Sequence, residues 1–134
     1  MRPGTSARAA TGGALVAVLI VSTMPGGSAH AGGPKPERQV SAKIVQVSDQ
    51  DLEFKGKVFG SRERPYDNRV TRLQRKTCRD CNWQVVRTNR TNNEARYTYD
   101  VGAPRRGRWF FRAQVPETRE YRTSYSRVWY TERT

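Results

Sequence analysis

The chain has 134 residues, 35% of them hydrophobic and 28% charged, with 25 Lys and Arg against 12 Asp and Glu for a formal net charge of +13. That length and polarity exclude several domains and a multi-span membrane protein. The charge points to anionic partners and excludes electrostatic recruitment of cationic ones.

The N-terminal stretch reads as a secretory signal. Arg2 and Arg8 form a basic n-region, and Ala14 to Val21 an apolar h-region. Pro25, Gly26 and Gly27 break that run ahead of the small-x-small site Ala29-His30-Ala31. Eight apolar residues are too few for a membrane span, which needs about 20 in a helix. Cleavage is expected after Ala31, giving a signal over 1–31, a flexible leader over 32–39 (GGPKPERQ) and one domain over 40–134. The sequence carries no lipidation Cys at the cleavage point, no twin-Arg pair and no hydrophobic C-terminal tail, so the expected location is extracellular.

Removing 31 residues that hold two Arg and no acid leaves 103 residues and a charge of +11. The single His and both Met leave with the signal. A chain without histidine has no Ser-His-Asp or Cys-His mechanism and no imidazole metal site. No spacing marks any two of Asp49, Asp51, Glu53 and Asp67 as an acid/base pair. The expectation is therefore no enzyme, no cofactor and no metal.

Leu, Ile, Val and Phe number only 17 in the remaining chain, and few aliphatics with high charge is a composition of disorder. Six Tyr and three Trp reverse that reading, because each aromatic buries a large area. They lie within short alternating runs of β-branched and aromatic residues, with no helical period. Strands are expected over 40–47, 52–59, 69–75, 83–88, 94–101, 108–115, 121–126 and 128–131, the last two as separate strands or one bent one. Turn formers fill 48–51, 60–68, 77–82, 89–93 and 102–107. The fold class expected is all-β, a single seven- or eight-stranded antiparallel β-sandwich. Alternation places Leu52, Phe54 and Val58 on one face, and Ala95, Tyr97 and Tyr99 on another. It sets Trp109, Phe111, Ala113 and Val115 opposite Arg108, Phe110, Arg112 and Gln114.

Several segments, Phe54 to Val58, Val70 to Arg75, Trp83 to Val86, Thr88 to Thr91 with Tyr97, Gly107 to Ala113 and Tyr125-Ser126, together resemble the immunoglobulin-like or transthyretin-like modules of secreted bacterial proteins. The resemblance implies a binding or spacer module and brings no catalytic residues with it.

Cys78-Arg79-Asp80-Cys81 is expected to form one disulfide that pins the turn between the Arg69 and Trp83 strands. Thiol–disulfide exchange is the alternative, but a redox C-x-x-C opens a helix and this one lies between strands. Asn89-Arg90-Thr91 is a formal glycosylation sequon. Arginines outnumber lysines 18 to 5 in the remaining chain, and the planar guanidinium suits both phosphate or carboxylate pairing and aromatic stacking. Arg105, Arg106, Arg108 and Arg112 form one candidate anion-binding strand, and Arg62, Arg64, Arg69 and Arg72 a second. Trp109 and Phe110 compete for the exposed stacking position. The expected function is a secreted, non-enzymatic module associating with an anionic polymer or an acidic protein surface, with no specific nucleic acid. The alternative is a protein-binding module of adhesion or inhibitor type, acting through an edge strand or loop.

Overall fold

The computed structural model describes residues 15–20 and 35–133. Ala31 and residues 32–34 of the expected leader lie outside them, as does most of the expected signal. The described residues form ten strands and no α-helix: β1 (Leu15–Ile20), β2 (Gln39–Val40), β3 (Lys43–Gln46), β4 (Leu52–Phe59), β5 (Val70–Lys76), β6 (Gln84–Arg90), β7 (Arg96–Val101), β8 (Arg108–Val115), β9 (Ser124–Tyr125) and β10 (Val128–Arg133). Among the described residues no helix is long and apolar enough to cross a membrane.

Every strand pair is antiparallel. The larger sheet runs β1-β10-β8-β5-β6, with β9 also on β8; the smaller places β2 and β3 along β4 and β7 on β4 as well. The apolar faces of the two sheets meet in one core. Phe54, Val58, Tyr97 and Tyr99 come from the smaller sheet, and Leu73, Phe111, Ala113 and Val115 from the larger. Phe54 and Phe111 approach across the gap with ring centroids 6.4 Å apart. Burial pushes the Tyr97 and Tyr99 hydroxyls up from their ordinary pKa, which keeps both rings neutral. Tyr99 shares a hydrogen bond with the Thr71 hydroxyl, and the Tyr97 hydroxyl donates to the Ser41 carbonyl.

The strand expected over 40–47 is interrupted. β2 and β3 keep one register along β4 but part at Ser41 and Ala42, where the chain presses on Gly56. A Cβ there would stand 1.9 Å from the Ser41 carbonyl oxygen, so no larger residue fits. Freed from the ladder, Ala42 offers its carbonyl to Trp129 Nε1 at 3.0 Å. β9 and β10 are the bent pair of the sequence reading. They lie on the same strand, β8, and part at Ser126, whose hydroxyl accepts from Ala113 N at 2.8 Å.

Within the expected leader over 32–39, Arg38 is not a solvated residue. Arg38 is 4% exposed and donates five side-chain hydrogen bonds. Nε reaches Ser124 Oγ, Nη1 the Tyr66 hydroxyl, and Nη2 the carbonyls of Val115, Pro116 and Arg122. The Pro-Lys-Pro-Glu run hid this, because a composition typical of linkers says nothing about one buried guanidinium within it.

Candidate anion site around Tyr66

The site begins with Thr91, at the end of β6 and 2% exposed. Its hydroxyl donates to the Tyr66 carbonyl at 2.7 Å and accepts from Arg69 N at 2.9 Å. One buried hydroxyl thus ties the start of β5, the end of β6 and the loop before β5 together. Asp67 and Asn68 turn the chain between them, with Asn68 in the left-handed region at φ 55°, which asparagine tolerates.

That frame aims arginines at one place. A cleft of about 350 Å³ is lined by Tyr66, Arg69, Arg72 and Arg90 on one side and by Pro116, Glu117 and Thr118 on the other. The Arg69 guanidinium lies over the Tyr66 ring, 5.1 Å from its centroid. Arg90 Nη1 donates to the Asn68 carbonyl at 3.1 Å. Arg90 faces Val70 across the β5–β6 ladder, which makes Arg72 its diagonal neighbour at roughly 7–8 Å. Glu117, the one acid of the lining, is already bridged to Lys35 Nζ at 2.9 Å. None of the three arginines bridges a carboxylate among the described residues.

Arg38 also lies against this tyrosine, 5.0 Å from the ring centroid, and against Tyr121 at 5.1 Å. All its acceptors are neutral. A buried cation without a counter-charge is costly and projects a positive field, and Arg38 touches two residues of the cleft lining, Tyr66 and Pro116. Hydrogen bonding with Ser61, through its side chain and through its N at 2.8 Å, draws the Tyr121 pKa down.

Farther along the outer face of the larger sheet the cations are used differently. Arg112 is sandwiched between Trp83 and Tyr125, at 4.4 and 4.0 Å from their centroids, and gives its Nε to Gln74 Oε1 at 2.7 Å. Lys76 covers Trp83 and Phe110, and Arg108 covers Tyr130 while pairing with Glu132 at 3.1 Å. Burial pulls the Arg112 pKa down, opposed by Tyr125. These side chains form a closed cation–aromatic ladder.

The first predicted arginine strand is therefore divided. Arg108 and Arg112 belong to the ladder, whereas Arg105 and Arg106 stand exposed in the β7–β8 turn. Of the second set, Arg69 and Arg72 enter the cleft; Arg62 and Arg64 lie exposed on the loop around the short turn Ser61–Glu63. Neither expected stacking residue is an open platform. Phe110 faces outward but is 6% exposed beneath Lys76 and Tyr130, and Trp109 packs toward the core under Arg75, 4.5 Å from its centroid. The exposed ring beside an arginine is Tyr125, 40% exposed. Sequence reasoning missed Arg90, counted as part of a sequon, and Arg38, counted as leader. Thr91, the hydroxyl partner in that sequon, is the signal that Arg90 sits at a tied corner.

Cys78 and Cys81 lie at disulfide distance in the β5–β6 turn, where Cys81 N donates to the Cys78 carbonyl at 3.2 Å. Two residues on, Trp83 takes its place in the ladder. A second, larger cleft of about 580 Å³ is lined in part by Lys43, Lys55, Lys57 and Arg96. There Arg96 is paired with Glu94 and Lys55 with Glu53. Among the described residues no group of three or more His, Cys, Asp or Glu side chains converges. No protein-family model, curated protein or solved structure matches the chain.

Proposed function

We propose that this chain is a secreted, non-enzymatic binding module, an immunoglobulin-like β-sandwich that holds an anionic polymer of the cell envelope or matrix. The observation that carries the reading is the convergence of Arg69, Arg72 and Arg90 on one cleft whose only acid is occupied by Lys35. Guanidinium forks pair with phosphate or carboxylate oxygens through charge-assisted hydrogen bonds, and each contact displaces a counterion from the polymer. Net charge brings the polymer to the surface, and the cleft supplies the directed contacts.

The test is a titration of the protein against a phosphate-rich and a carboxylate-rich polymer at low and physiological salt, with a neutral polysaccharide as control. Anionic polymer binding that persists at physiological salt and is lost in the triple variant Arg69→Ala, Arg72→Ala, Arg90→Ala is expected. Equal binding to the neutral polymer, or no binding at physiological salt, overturns the reading and sends the search to protein partners.

A further inference from the structure

We infer that the Tyr66 cleft is built for a terminal monoester oxyanion, a phosphate or sulfate group with three free oxygens, in preference to a carboxylate or a phosphodiester. The inference rests on the anion-binding reading and narrows it to a ligand chemistry.

Each guanidinium presents five N–H groups in a rigid planar fork, and three of them reach this cleft from different supports. Arg69 is held against the Tyr66 ring, Arg90 is anchored through one nitrogen to the Asn68 carbonyl, and Arg72 projects from β5 diagonally across from Arg90. A carboxylate has two oxygens in one plane, and a single fork takes up one edge of it. A phosphodiester also has only two free oxygens. With either ligand the three guanidiniums would have to share two oxygens lying in one plane, at the cost of like-charge crowding. A monoester puts three oxygens around a tetrahedral centre, so each guanidinium meets an acceptor from its own direction.

The electrostatic setting agrees with the donor count. Arg38, buried against Tyr66 and hydrogen-bonded only by neutral groups, adds a fourth positive charge that no side chain of the cleft cancels. The larger lysine cleft offers the useful contrast. Its cations are compact point charges, two of its lining residues are already paired with glutamates, and it has no planar forks beyond Arg96. Both clefts attract anions, but only the Tyr66 cleft has a geometry that can sort them.

The experiment titrates the full chain at low salt with four probes: glucose 6-phosphate, glucose 6-sulfate, glucuronate and dimethyl phosphate. Glucose 6-sulfate, glucuronate and dimethyl phosphate carry the same single charge, so any difference among them reports oxygen count and shape. The expected result is that both monoesters bind at least about tenfold more tightly than glucuronate and dimethyl phosphate, the worth of one charged hydrogen-bonding contact. The ratio of the phosphate to the sulfate arm separates the two sources. Arg72→Ala and Arg90→Ala are each expected to cut monoester affinity about tenfold, whereas Lys43→Ala with Lys57→Ala, and Arg105→Ala with Arg106→Ala, leave it unchanged. Equal affinity for all four probes overturns the inference and leaves anion binding standing. Polymer binding with no response to the small monoesters overturns it as well. If the polymers also fail to bind, the reading beneath it fails too.

Discussion

The ladder on the outer face of β5 and β8 and the cleft around Tyr66 share a sheet and a residue type, yet they leave their charges in opposite states. In the ladder Arg112 is held by Trp83, Tyr125 and Gln74, and Arg108 by Tyr130 and Glu132. In the cleft Arg69 has one ring, Arg90 one carbonyl, and no arginine has a carboxylate of its own. An arginine flanked by aromatics in sequence is the one whose guanidinium the fold has most reason to consume. Availability for a ligand is then set by what else touches the side chain, and local arginine density does not report it.

The comparison breaks most easily at Arg38, which supports the cleft without belonging to either surface. Arg38→Ala leaves the Tyr66 hydroxyl, Ser124 and three carbonyls without their donor, and each buried polar group left unpaired costs about 1–3 kcal/mol. Chemical denaturation should show that loss; a change below about 1 kcal/mol would mean that the cradle is not buried in solution. Replacing Cys78 and Cys81 by Ser should cost about 2 kcal/mol, at the low end for disulfides because the closed loop is short. The damage should spread along the β5–β6 turn to Trp83, and increased Trp83 solvent exposure by fluorescence quenching would register it. A fluorescence signature identical to the parent would detach the disulfide from the ladder.

Arg112→Ala removes two cation–aromatic contacts worth about 0.5–1 kcal/mol each and should lower stability with no effect on anion binding. Arg72→Ala should do the reverse, changing stability by less than about 0.5 kcal/mol as expected for an exposed site while weakening binding. A double dissociation of this kind is the sharpest form of the comparison. Equal losses of binding in both variants would merge the two regions into one surface.

The strands were legible because a two-residue period survives any tertiary context: Phe54, Val58, Tyr97, Tyr99, Phe111, Ala113 and Val115 all face the core as alternation places them. The cysteine turn was legible for a similar reason, since four consecutive residues leave little freedom. What the sequence could not display were contacts joining distant positions. Arg38 and Ser124 are 86 residues apart, and nothing local in Pro-Glu-Arg-Gln separates a buried arginine from a solvated one. Alternation also set Phe110 on the outer face without revealing that Lys76 and Tyr130 cover it, because a face assignment carries no information on what lies above the face. The break at Ser41 was hidden for the same reason: Gly56 demands it from the neighbouring strand.

The pairing of Leu15–Ile20 with β10 bears on the timing of export. All six residues take a place in the sheet, from Leu15 opposite Arg133 to Ile20 opposite Val128, and they come from the segment read as the core of the signal. A polypeptide stretch cannot thread a translocation machine and close a sheet in the same moment. If this leader is the export signal we propose, a chain that folds first withdraws its own address, so delivery depends on a race that folding must lose. The contest is kinetic and leaves a physical trace. Backbone amides of β10 that face Leu15–Ile20 are expected to exchange slowly while the leader is paired and faster once it is gone, whereas those bonded to β8 stay protected, which makes hydrogen exchange along β10 a clock for the order of the two events.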